Sequence, residues 1–370
     1  MEREPQLPRI QLGSTGKKIG RLVLGGFHQL EISSEIVQQV VDRFLEYGGN
    51  YLETARRYGE GASERKLGNA LRGRRDQVLI ASKSPARDYD GMKAEIETSL
   101  ELLQTDHIDF YFLHCVNELG ELDQIESKDG ALRALREAME AGHVGGIGFS
   151  SHRPWLYRDA LQRLPLAVIL IWDSYLEENN FPEIHREIYP LAREKGVGIT
   201  AMKPLSDGFL YRSAGTALRY ALGSGSDALV CGMNRVEHVD QAAAALAEGP
   251  LPDAEREAVR RDAVELGNYV CRQCDSCPEM LRHLFRLEGW FDRQMVDYLP
   301  HDPDDYALRV RLGGWFEMQE LARKEYRTAS WAGEDLETGA RSVRCPYGIN
   351  VERKVRLATT KLGGGDPNTV

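Results

Sequence analysis

The sequence lacks the apolar features of a membrane or secreted protein. It has no apolar run of about 18 residues, the length needed to cross a bilayer. The first ten residues, MEREPQLPRI, are charged and polar and do not contain the apolar central segment of a secretory signal. The sequence therefore predicts no membrane association and a cytoplasmic location.

Positive charge is also scarce. The 370-residue chain carries 47 Lys and Arg against 57 Asp and Glu, a formal net charge of −10. Nonspecific binding of nucleic acids depends on basic surface that displaces phosphate counterions, so no nucleic-acid partner is expected. The length and the 42% hydrophobic content suit one large domain with a smaller one attached.

Cysteines are few and unevenly spaced. Two of the six, Cys115 and Cys231, lie in apolar runs, and the other four fall in the last hundred residues: Cys271, Cys274, Cys277 and Cys345. In a cytoplasmic chain, C-x-x-C-x-x-C spacing indicates a metal or cluster site more often than disulfides.

Short apolar runs alternate with amphipathic stretches from Leu22 to Leu246. The predicted strands are Leu22–Gly25, Tyr51–Thr54, Val78–Lys83, Ile108–Leu113, Gly146–Ser150, Val168–Trp172, Gly198–Met202 and Ala228–Cys231. The predicted helices include Glu35–Tyr47, Ala62–Leu71, Met92–Leu103, Ala131–Ala141, Pro154–Leu164 and Val236–Glu248. Eight strand-helix units predict a parallel (β/α)8 TIM barrel rather than an open doubly wound sheet, and residues 9–21 predict a hairpin before it.

The repeating pattern stops near Pro252. The tail holds the cysteine-rich segment and the tryptophans Trp290, Trp315 and Trp331. We expect a barrel over residues 1–265 and a mainly helical, cysteine-containing extension over residues 266–370, with the boundary near Leu266.

Polar residues gather where the predicted strands end. Each alone has an ordinary structural explanation, but the carboxyl ends of barrel strands meet on one face. Tyr58 lies in the second loop, and the other members are Glu53, Lys83, His114, Ser150 and Lys203. The pattern predicts a proton-transfer site on that face.

Six segments carry a family resemblance: GNYLETARRYGEGASERKLG, VLIASKS, TDHIDFYFLH, EAGHVGGIGFSS, AMKPLSDGF and ALVCGMNRVEHV. On these segments the chain resembles the aldo-keto reductases, and specifically the bacterial branch with a C-terminal ferredoxin-like extension. The resemblance implies an NAD(P)H-dependent oxidoreductase that interconverts a carbonyl and an alcohol on a small-molecule substrate.

The family uses a tetrad of Asp, Tyr, Lys and His. By resemblance, Tyr58 is the general acid/base, Lys83 lowers the pKa of Tyr58, and His114 orients the carbonyl. Glu53 stands in place of the aspartate that pairs with the lysine. Because glutamate is one methylene longer, either the lysine shifts or the backbone adjusts.

The resemblance also implies a nicotinamide cofactor. Ser150 and Ser151 match the polar pair that holds the carboxamide, whereas Trp172 occupies the strand that carries a glutamine in the family. Arg235 suits a 2′-phosphate, which favours NADP(H) and leaves NAD(H) open. The implied cofactor-binding residues are Gly25, Ser150, Ser151, Met202, Lys203, Pro204, Leu205, Gly232, Asn234, Arg235, His238 and Gln241.

The cysteines resemble a ferredoxin-type [4Fe–4S] site, with Cys271, Cys274 and Cys277 from one turn and Cys345 from a distant Cys-Pro. Zinc bound by four cysteines is the alternative. The long insertion before Cys345 permits one cluster and not two. The cluster's role, structural or in passing electrons to a partner, stays open.

The predicted rim is basic, with Arg56, Arg57, Arg87, His152, Arg153 and Lys203. This charge could attract an anionic substrate, serve the cofactor phosphates or simply be solvated. Two further functions stay open. The first uses the same barrel either for proton-transfer chemistry, as in an epimerase, dehydratase or lyase, or for redox chemistry linked to the cluster. The second is non-enzymatic, a redox sensor or electron carrier. The substrate, the physiological direction and the oligomeric state are not indicated by the sequence.

Overall fold

A computed structural model describes residues 6–294 and 318–370. A hairpin comes first, with β1 (Arg9–Gln11) antiparallel to β2 (Lys18–Gly20). The strands that follow are β3 (Leu22–Gly25), β4 (Tyr51–Glu53), β5 (Leu79–Ser84), β6 (Phe110–Leu113), β7 (Ile147–Ser150), β8 (Leu166–Trp172), β9 (Gly198–Met202) and β10 (Ala228–Gly232). They close into a barrel in the order β10-β3-β4-β5-β6-β7-β8-β9 with parallel neighbours, which confirms the predicted (β/α)8 barrel.

The observed strands differ from the predicted ones only at their ends. β6 begins at Phe110 rather than at Ile108, because Ile108 forms only an isolated bridge to Val144. β8 begins two residues earlier than predicted, at Leu166. Strand ends depend on pairing partners, which periodicity within one segment does not contain.

Helices connect the strands. Residue Ser33 begins the first of them as its N-cap, accepting a hydrogen bond from the Ile36 amide at 3.4 Å. The helices up to residue 247 are α1 (Ser34–Glu46), α2 (Ala62–Ala70), α3 (Tyr89–Leu103), α4 (Leu119–Glu126), α5 (Ala131–Glu140), α6 (Leu156–Arg163), α7 (Tyr175–Asn180), α8 (Tyr189–Glu194), α9 (Ala214–Leu222) and α10 (Val236–Ala247). Short 3-10 turns lie at Phe27–Glu31, Arg75–Gln77, Ser206–Gly208 and Tyr211–Ser213, and a π-helical turn at Ile184–Ile188.

One apolar cluster fills the barrel interior. It takes alternate residues of the strands, such as Tyr51, Ala81 and Phe112, together with Leu12 and Ile19 of the hairpin region. Successive side chains of a strand point to opposite faces. Residues two positions beyond these interior residues therefore also face inward, at the carboxyl ends of the strands.

The chain divides into two compact units. The first comprises Met1–Asp173, Glu183–Pro204 and Ala214–Leu251, and the second comprises Ser174–Pro182, Leu205–Ser213 and Pro252–Val370. The long C-terminal part of the second unit thus begins at Pro252, where the repeating sequence pattern stops. The same unit also includes the segments that follow β8 and β9. The division into domains at residues 265 and 266 stays a prediction.

The second unit is helical where it is described, which supports part of the predicted extension. Its further helices are α11 (Asp253–Asp262), α12 (Glu279–Asp292), α13 (Gln319–Thr328), α14 (Leu336–Arg341) and α15 (Val351–Gly363), with 3-10 turns at Val264–Leu266 and Pro367–Thr369. Residues of α12 to α15, such as Leu284, Ala322, Leu336 and Val355, form its apolar core. Trp315 lies outside the described residues.

A buried group of four charges joins α12 to α15. The Lys361 ammonium lies 2.8 Å from Glu288 and 2.8 Å from Asp292, and Lys354 lies 2.7 Å from Glu288. Two carboxylates thus face two ammonium groups, all nearly inaccessible to solvent. Such a group is tolerated in a core only while every charge keeps its partner.

None of the helices in residues 6–294 and 318–370 combines the length and apolarity needed to cross a membrane.

Candidate active site

The strand register brings three predicted site residues to the inner face of the barrel. Glu53 pairs with Ala81, and Lys83 pairs with Phe112, which lies two residues before His114. Each therefore continues an inward-facing row by one step. Glu53, Lys83 and His114 are 6%, 1% and 8% exposed.

Glu53 and Lys83 form an ion pair on adjacent strands. The Lys83 ammonium also donates to the Thr54 carbonyl at 2.7 Å and to the Tyr58 hydroxyl at 3.4 Å. The longer glutamate side chain therefore still pairs with the lysine, and the lysine still reaches the tyrosine. The structure brings together all four residues of the predicted tetrad.

A tight turn after β4 positions Tyr58. The Tyr58 amide donates to the Ala55 carbonyl at 3.0 Å, and Gly59, Glu60 and Gly61 all have left-handed backbone angles. At Gly61, where φ is +87°, any residue with a side chain would strain the backbone.

The segment of residues 63–66, SERK, follows the turn and supports it. Arg56 pairs with Glu64 at 2.7 Å and with Glu95 at 2.9 Å. Glu64 also accepts from the Ser82 hydroxyl at 2.5 Å, and the Ser63 hydroxyl donates to the Gly26 carbonyl at 2.8 Å. The segment thereby ties the start of α2 to two neighbouring strand ends.

The pKa of Tyr58 is shifted in the direction opposite to the one predicted. Burial raises the pKa of Tyr58 well above its usual value, and the Glu53 carboxylate raises it further. Tyr58 is therefore a neutral phenol at neutral pH in this structure.

His114 lies edge-on to Tyr58, with ring centroids 5.9 Å apart. Burial lowers the pKa of His114 well below its usual value, and the positive charge of Lys83 lowers it further. Nδ1 is buried without a hydrogen-bond partner among the described residues. Because a buried, unpaired N–H is costly, we place the proton of the neutral ring on Nε2.

Two neighbours of Tyr58 were not predicted as site residues. Cys115 follows His114 in a left-handed conformation, and its charge in the thiolate form would raise the pKa of Tyr58. Its position directly after His114 in the sequence could have indicated that it lies near Tyr58. Phe27 packs edge-on against Tyr58 at 5.2 Å, a contact with no signal in the local sequence.

Ser150 and Ser151, the two residues predicted to hold the nicotinamide carboxamide, are buried and already hydrogen-bonded. Ser150 Oγ accepts from the Cys115 amide at 3.3 Å, and Ser151 Oγ accepts from the Arg153 amide at 2.9 Å. To hold a cofactor as predicted, each hydroxyl must either form an additional hydrogen bond or give up the one described here.

Trp172, with His152 and Lys203 beside it, lies on the strand where the family resemblance leads us to expect a glutamine. Trp172 is 1% exposed, and its ring lies 5.3 Å from that of His152. The Lys203 ammonium lies 5.6 Å from the Trp172 ring centroid. Met202 is half-buried against the barrel interior.

The other cofactor residues predicted on β3, β9 and β10 differ in setting. Gly25 and Gly232 are paired at the ends of β3 and β10. A Cβ at Gly232 would lie 2.0 Å from Cδ2 of His28, so a side chain there would displace that ring. Pro204 is buried, and Leu205 belongs to the second compact unit.

The predicted phosphate site lies at the start of α10. Arg235 is the exposed N-cap residue, and no described side chain caps the helix. Asn234 donates to Glu31 at 2.8 Å, His238 is half-buried and Gln241 is exposed. An unoccupied guanidinium beside uncapped amides is a donor set that fits a phosphate.

The basic rim is smaller than the sequence predicts. Arg87 is buried and donates to Glu121 at 2.8 Å and to the His114 carbonyl at 2.8 Å. Arg56 is held by its two carboxylates. Both are structural cations, and the remaining rim cations are Arg57, His152, Arg153 and Lys203.

The four tail cysteines lie in one region of the second unit. Cys271 belongs to its apolar core, and Cys277 and Cys345 pack against that core. Burial raises the pKa of Cys271 to about 12, with a smaller contribution from Cys277 and Cys274. Gln273 donates its amide to the Cys271 sulfur at 3.4 Å.

All six cysteines are free thiols. Within the described ranges, no three His, Cys, Asp or Glu side chains are arranged to hold a metal ion. The chain thus gathers the predicted ligands without placing them in ligating geometry, and the cluster stays a prediction.

Comparisons with known proteins concern the barrel. A sequence model described as the Aldo/keto reductase family matches residues 21–216, more than half of the chain. An uncharacterized oxidoreductase of Bacillus subtilis, YqkF, is 28% identical over 212 residues, which cover 54% of this chain and 65% of that protein. Probable aldo-keto reductase 1 of Glycine max is 29% identical over 224 residues, covering 56% of this chain and 62% of that protein. The chain thus spans slightly less than two thirds of both relatives.

Solved structures show the same architecture. An aldo-keto reductase of Bacillus halodurans in its holo form superimposes with a TM-score of 0.61 at 25% identity, covering 69% of this chain and 96% of that chain. An aldo-keto reductase of Klebsiella pneumoniae in complex with NADPH gives a TM-score of 0.59 at 22% identity, covering 69% and 94%. At that identity the second similarity supports the fold alone.

Proposed function

The chain belongs to the aldo/keto reductase family, and from this premise we propose that it is an NAD(P)H-dependent oxidoreductase. It interconverts a carbonyl and an alcohol on a small polar substrate. The observation that carries the proposal is the assembled group of Glu53, Tyr58, Lys83 and His114, with Lys83 in contact with both Glu53 and Tyr58.

Each member has a distinct role in the proposed reduction. Tyr58, which is a neutral phenol at neutral pH, donates its proton to the carbonyl oxygen. Lys83 then stabilises the phenolate that remains, and Glu53 holds Lys83 in place. His114, with its proton on Nε2, donates a hydrogen bond that orients the same oxygen. A nicotinamide held beside this group would supply the hydride.

Arg235 supports NADP(H) over NAD(H). Its guanidinium is exposed at the start of α10 and has no partner among the described residues, which suits the bidentate binding of a 2′-phosphate. The Klebsiella relative with the same fold was solved with NADPH. We propose Gly232, Asn234, Arg235, His238 and Gln241 for the adenosine end, and Gly25, Ser150, Ser151, Met202, Lys203, Pro204 and Leu205 for the nicotinamide end.

The test measures nicotinamide binding and turnover separately. The purified protein should quench or shift the fluorescence of NADPH and oxidise it when an uncharged aldehyde is added. Tyr58→Phe should keep the binding and lose about 100-fold or more in turnover, because general acid catalysis contributes about 10²–10⁴.

Failure to bind either NADPH or NADH would refute the proposal. Turnover of a substrate without nicotinamide would instead indicate proton-transfer chemistry at the same residues. Nicotinamide binding with no turnover of any carbonyl would favour a redox-sensing or electron-carrying protein.

For the second unit we propose that Cys271, Cys274, Cys277 and Cys345 hold a [4Fe–4S] cluster, with zinc as the alternative. Three of these cysteines precede α12, the fourth precedes α15, and both helices share one apolar core. Thiolates are the ligands that either occupant requires. The cluster would add single-electron chemistry or structural support.

Iron, sulfide and zinc analysis of anaerobically purified protein distinguishes the two occupants. Cys274→Ser should remove the metal, whereas Cys231→Ser, at a buried thiol in the barrel, should leave it in place. An equal metal content in both variants would refute the ligand assignment.

A further inference from the structure

Arg57 stands out among the arginines around the tetrad. It is exposed, and it makes no hydrogen bond or ion pair with any described residue. Its neighbour Arg56 is held by Glu64 and Glu95, and Arg87 is held by Glu121. Of these three arginines next to the site, Arg57 is the one whose charge no carboxylate balances.

The backbone on both sides holds Arg57 in a defined place. The Arg56 amide donates to the Lys83 carbonyl at 2.9 Å, and the Tyr58 amide donates to the Ala55 carbonyl at 3.0 Å. The guanidinium thus projects from a tight turn, one residue before the proposed proton donor. Its charge contributes to the lowered pKa of His114, so it lies within electrostatic reach of that imidazole.

The tetrad itself has no net charge. Glu53 and Lys83 balance each other in their ion pair. Tyr58 is neutral at neutral pH like any unperturbed tyrosine, and His114 is neutral because burial lowers its pKa. The tetrad therefore has no negative charge left over to balance Arg57, which directly precedes Tyr58 in the chain. Burial raises the pKa of the neighbouring Cys115 thiol, and Arg57 is one of the nearby cations that oppose this rise.

We propose that Arg57 determines substrate specificity by binding an anionic group, carboxylate or phosphate, of a carbonyl substrate whose oxygen lies between Tyr58 and His114. A guanidinium binds either group through two parallel hydrogen bonds. The inference rests on the proposed reductase function and adds the class of its substrate.

The test uses pairs of aldehydes that differ in one anionic group. Butanal is compared with 4-oxobutanoate, and glyceraldehyde with glyceraldehyde 3-phosphate, so that the two pairs separate carboxylate from phosphate. The protein should prefer the anionic member of at least one pair. Arg57→Met should lower kcat/KM for that member by about tenfold or more, the range for a hydrogen bond to a charged group, and leave the uncharged member within about twofold.

Two further variants serve as controls. Arg65→Met removes an exposed arginine on α2 and should change neither aldehyde. Arg57→Lys keeps the charge but not the paired donors, and it should restore part of the preference.

Equal use of both members by the unaltered protein, or a preference that persists in Arg57→Met, would overturn the inference and leave the proposed function intact. An equal loss for both members in Arg57→Met would also overturn it, by showing that Arg57 acts only on Tyr58. If no uncharged or anionic aldehyde is reduced with either nicotinamide, the proposed function fails and the inference fails with it.

Discussion

Lys83 and Glu53 form a buried ion pair across the ends of two adjacent strands, with side chains that are 1% and 7% exposed. The pair is the centre of the tetrad, because the same ammonium reaches the Tyr58 hydroxyl and the Thr54 carbonyl. A buried charge that loses its partner is strongly destabilising. The pair therefore links the stability of the barrel to its proposed chemistry.

Glu53→Gln should lower the free energy of unfolding by about 3–5 kcal/mol, because Lys83 would remain buried without its counter-charge. Glu53→Asp keeps the charge and should cost less. Urea denaturation of both variants measures this difference. A Glu53→Gln protein as stable as the parent would show that the Thr54 carbonyl and Tyr58 hydroxyl satisfy the ammonium alone.

His114 should make the protein sensitive to acid. Its folded-state pKa lies below the usual value of about 6.5, so in acid the unfolded chain binds a proton that the folded chain does not. The stability linked to His114 is complete above about pH 6.5 and is lost towards the folded-state pKa, by up to about 1.4 kcal/mol per pH unit. His114→Gln should show a smaller fall in the free energy of unfolding between about pH 7 and pH 5, and parallel curves for the two proteins would contradict the assignment.

Tyr58 should make carbonyl reduction insensitive to pH over the neutral range. Its pKa is raised above the usual value of about 10, and His114 is already neutral, so neither group changes charge between about pH 7 and pH 9. A profile of kcat/KM for an uncharged aldehyde should be flat there. A fall within this range would show that bound cofactor lets Lys83 lower the pKa of Tyr58, as the sequence predicted.

Arg235 should set the choice between the two nicotinamides. Arg235→Leu should raise the dissociation constant of NADPH by about tenfold or more, since a charge-assisted hydrogen bond contributes about 1.5–3 kcal/mol. The dissociation constant of NADH should change little. Fluorescence titration of both cofactors measures the ratio, and an equal weakening of both would indicate that Arg235 contacts a phosphate common to the two.

Glu288 should be essential to the second unit. Glu288→Gln leaves two buried ammonium groups, Lys354 and Lys361, of which Lys361 keeps Asp292 as an ion-pair partner. The loss should be about 3–5 kcal/mol, against a small effect for Glu320→Gln, which removes an exposed partner of Arg323. Thermal unfolding compares the two, and similar melting curves would contradict the prediction.

The sequence alone determined the barrel and most of the tetrad. Strand and helix periodicities are local properties, and eight alternating units leave few other architectures. Tyr58, Lys83 and His114 could be placed together because parallel strands of a barrel end on one face. The pairing of Glu53 with Lys83 was instead implied by the resemblance to the aldo-keto reductases, in which Glu53 takes the place of the aspartate.

Only the tertiary structure decided how these residues are charged and which neighbours are occupied. Arg56 and Arg57 are identical in type and adjacent in the chain, yet one pairs with Glu64 and Glu95 and the other has no described partner. The pKa of Tyr58 is raised rather than lowered because of its burial and the nearby Glu53 carboxylate. The segments after β8 and β9 join the second unit. Burial, ion pairing and such long-range grouping depend on contacts between distant segments, which no local pattern of residue types contains.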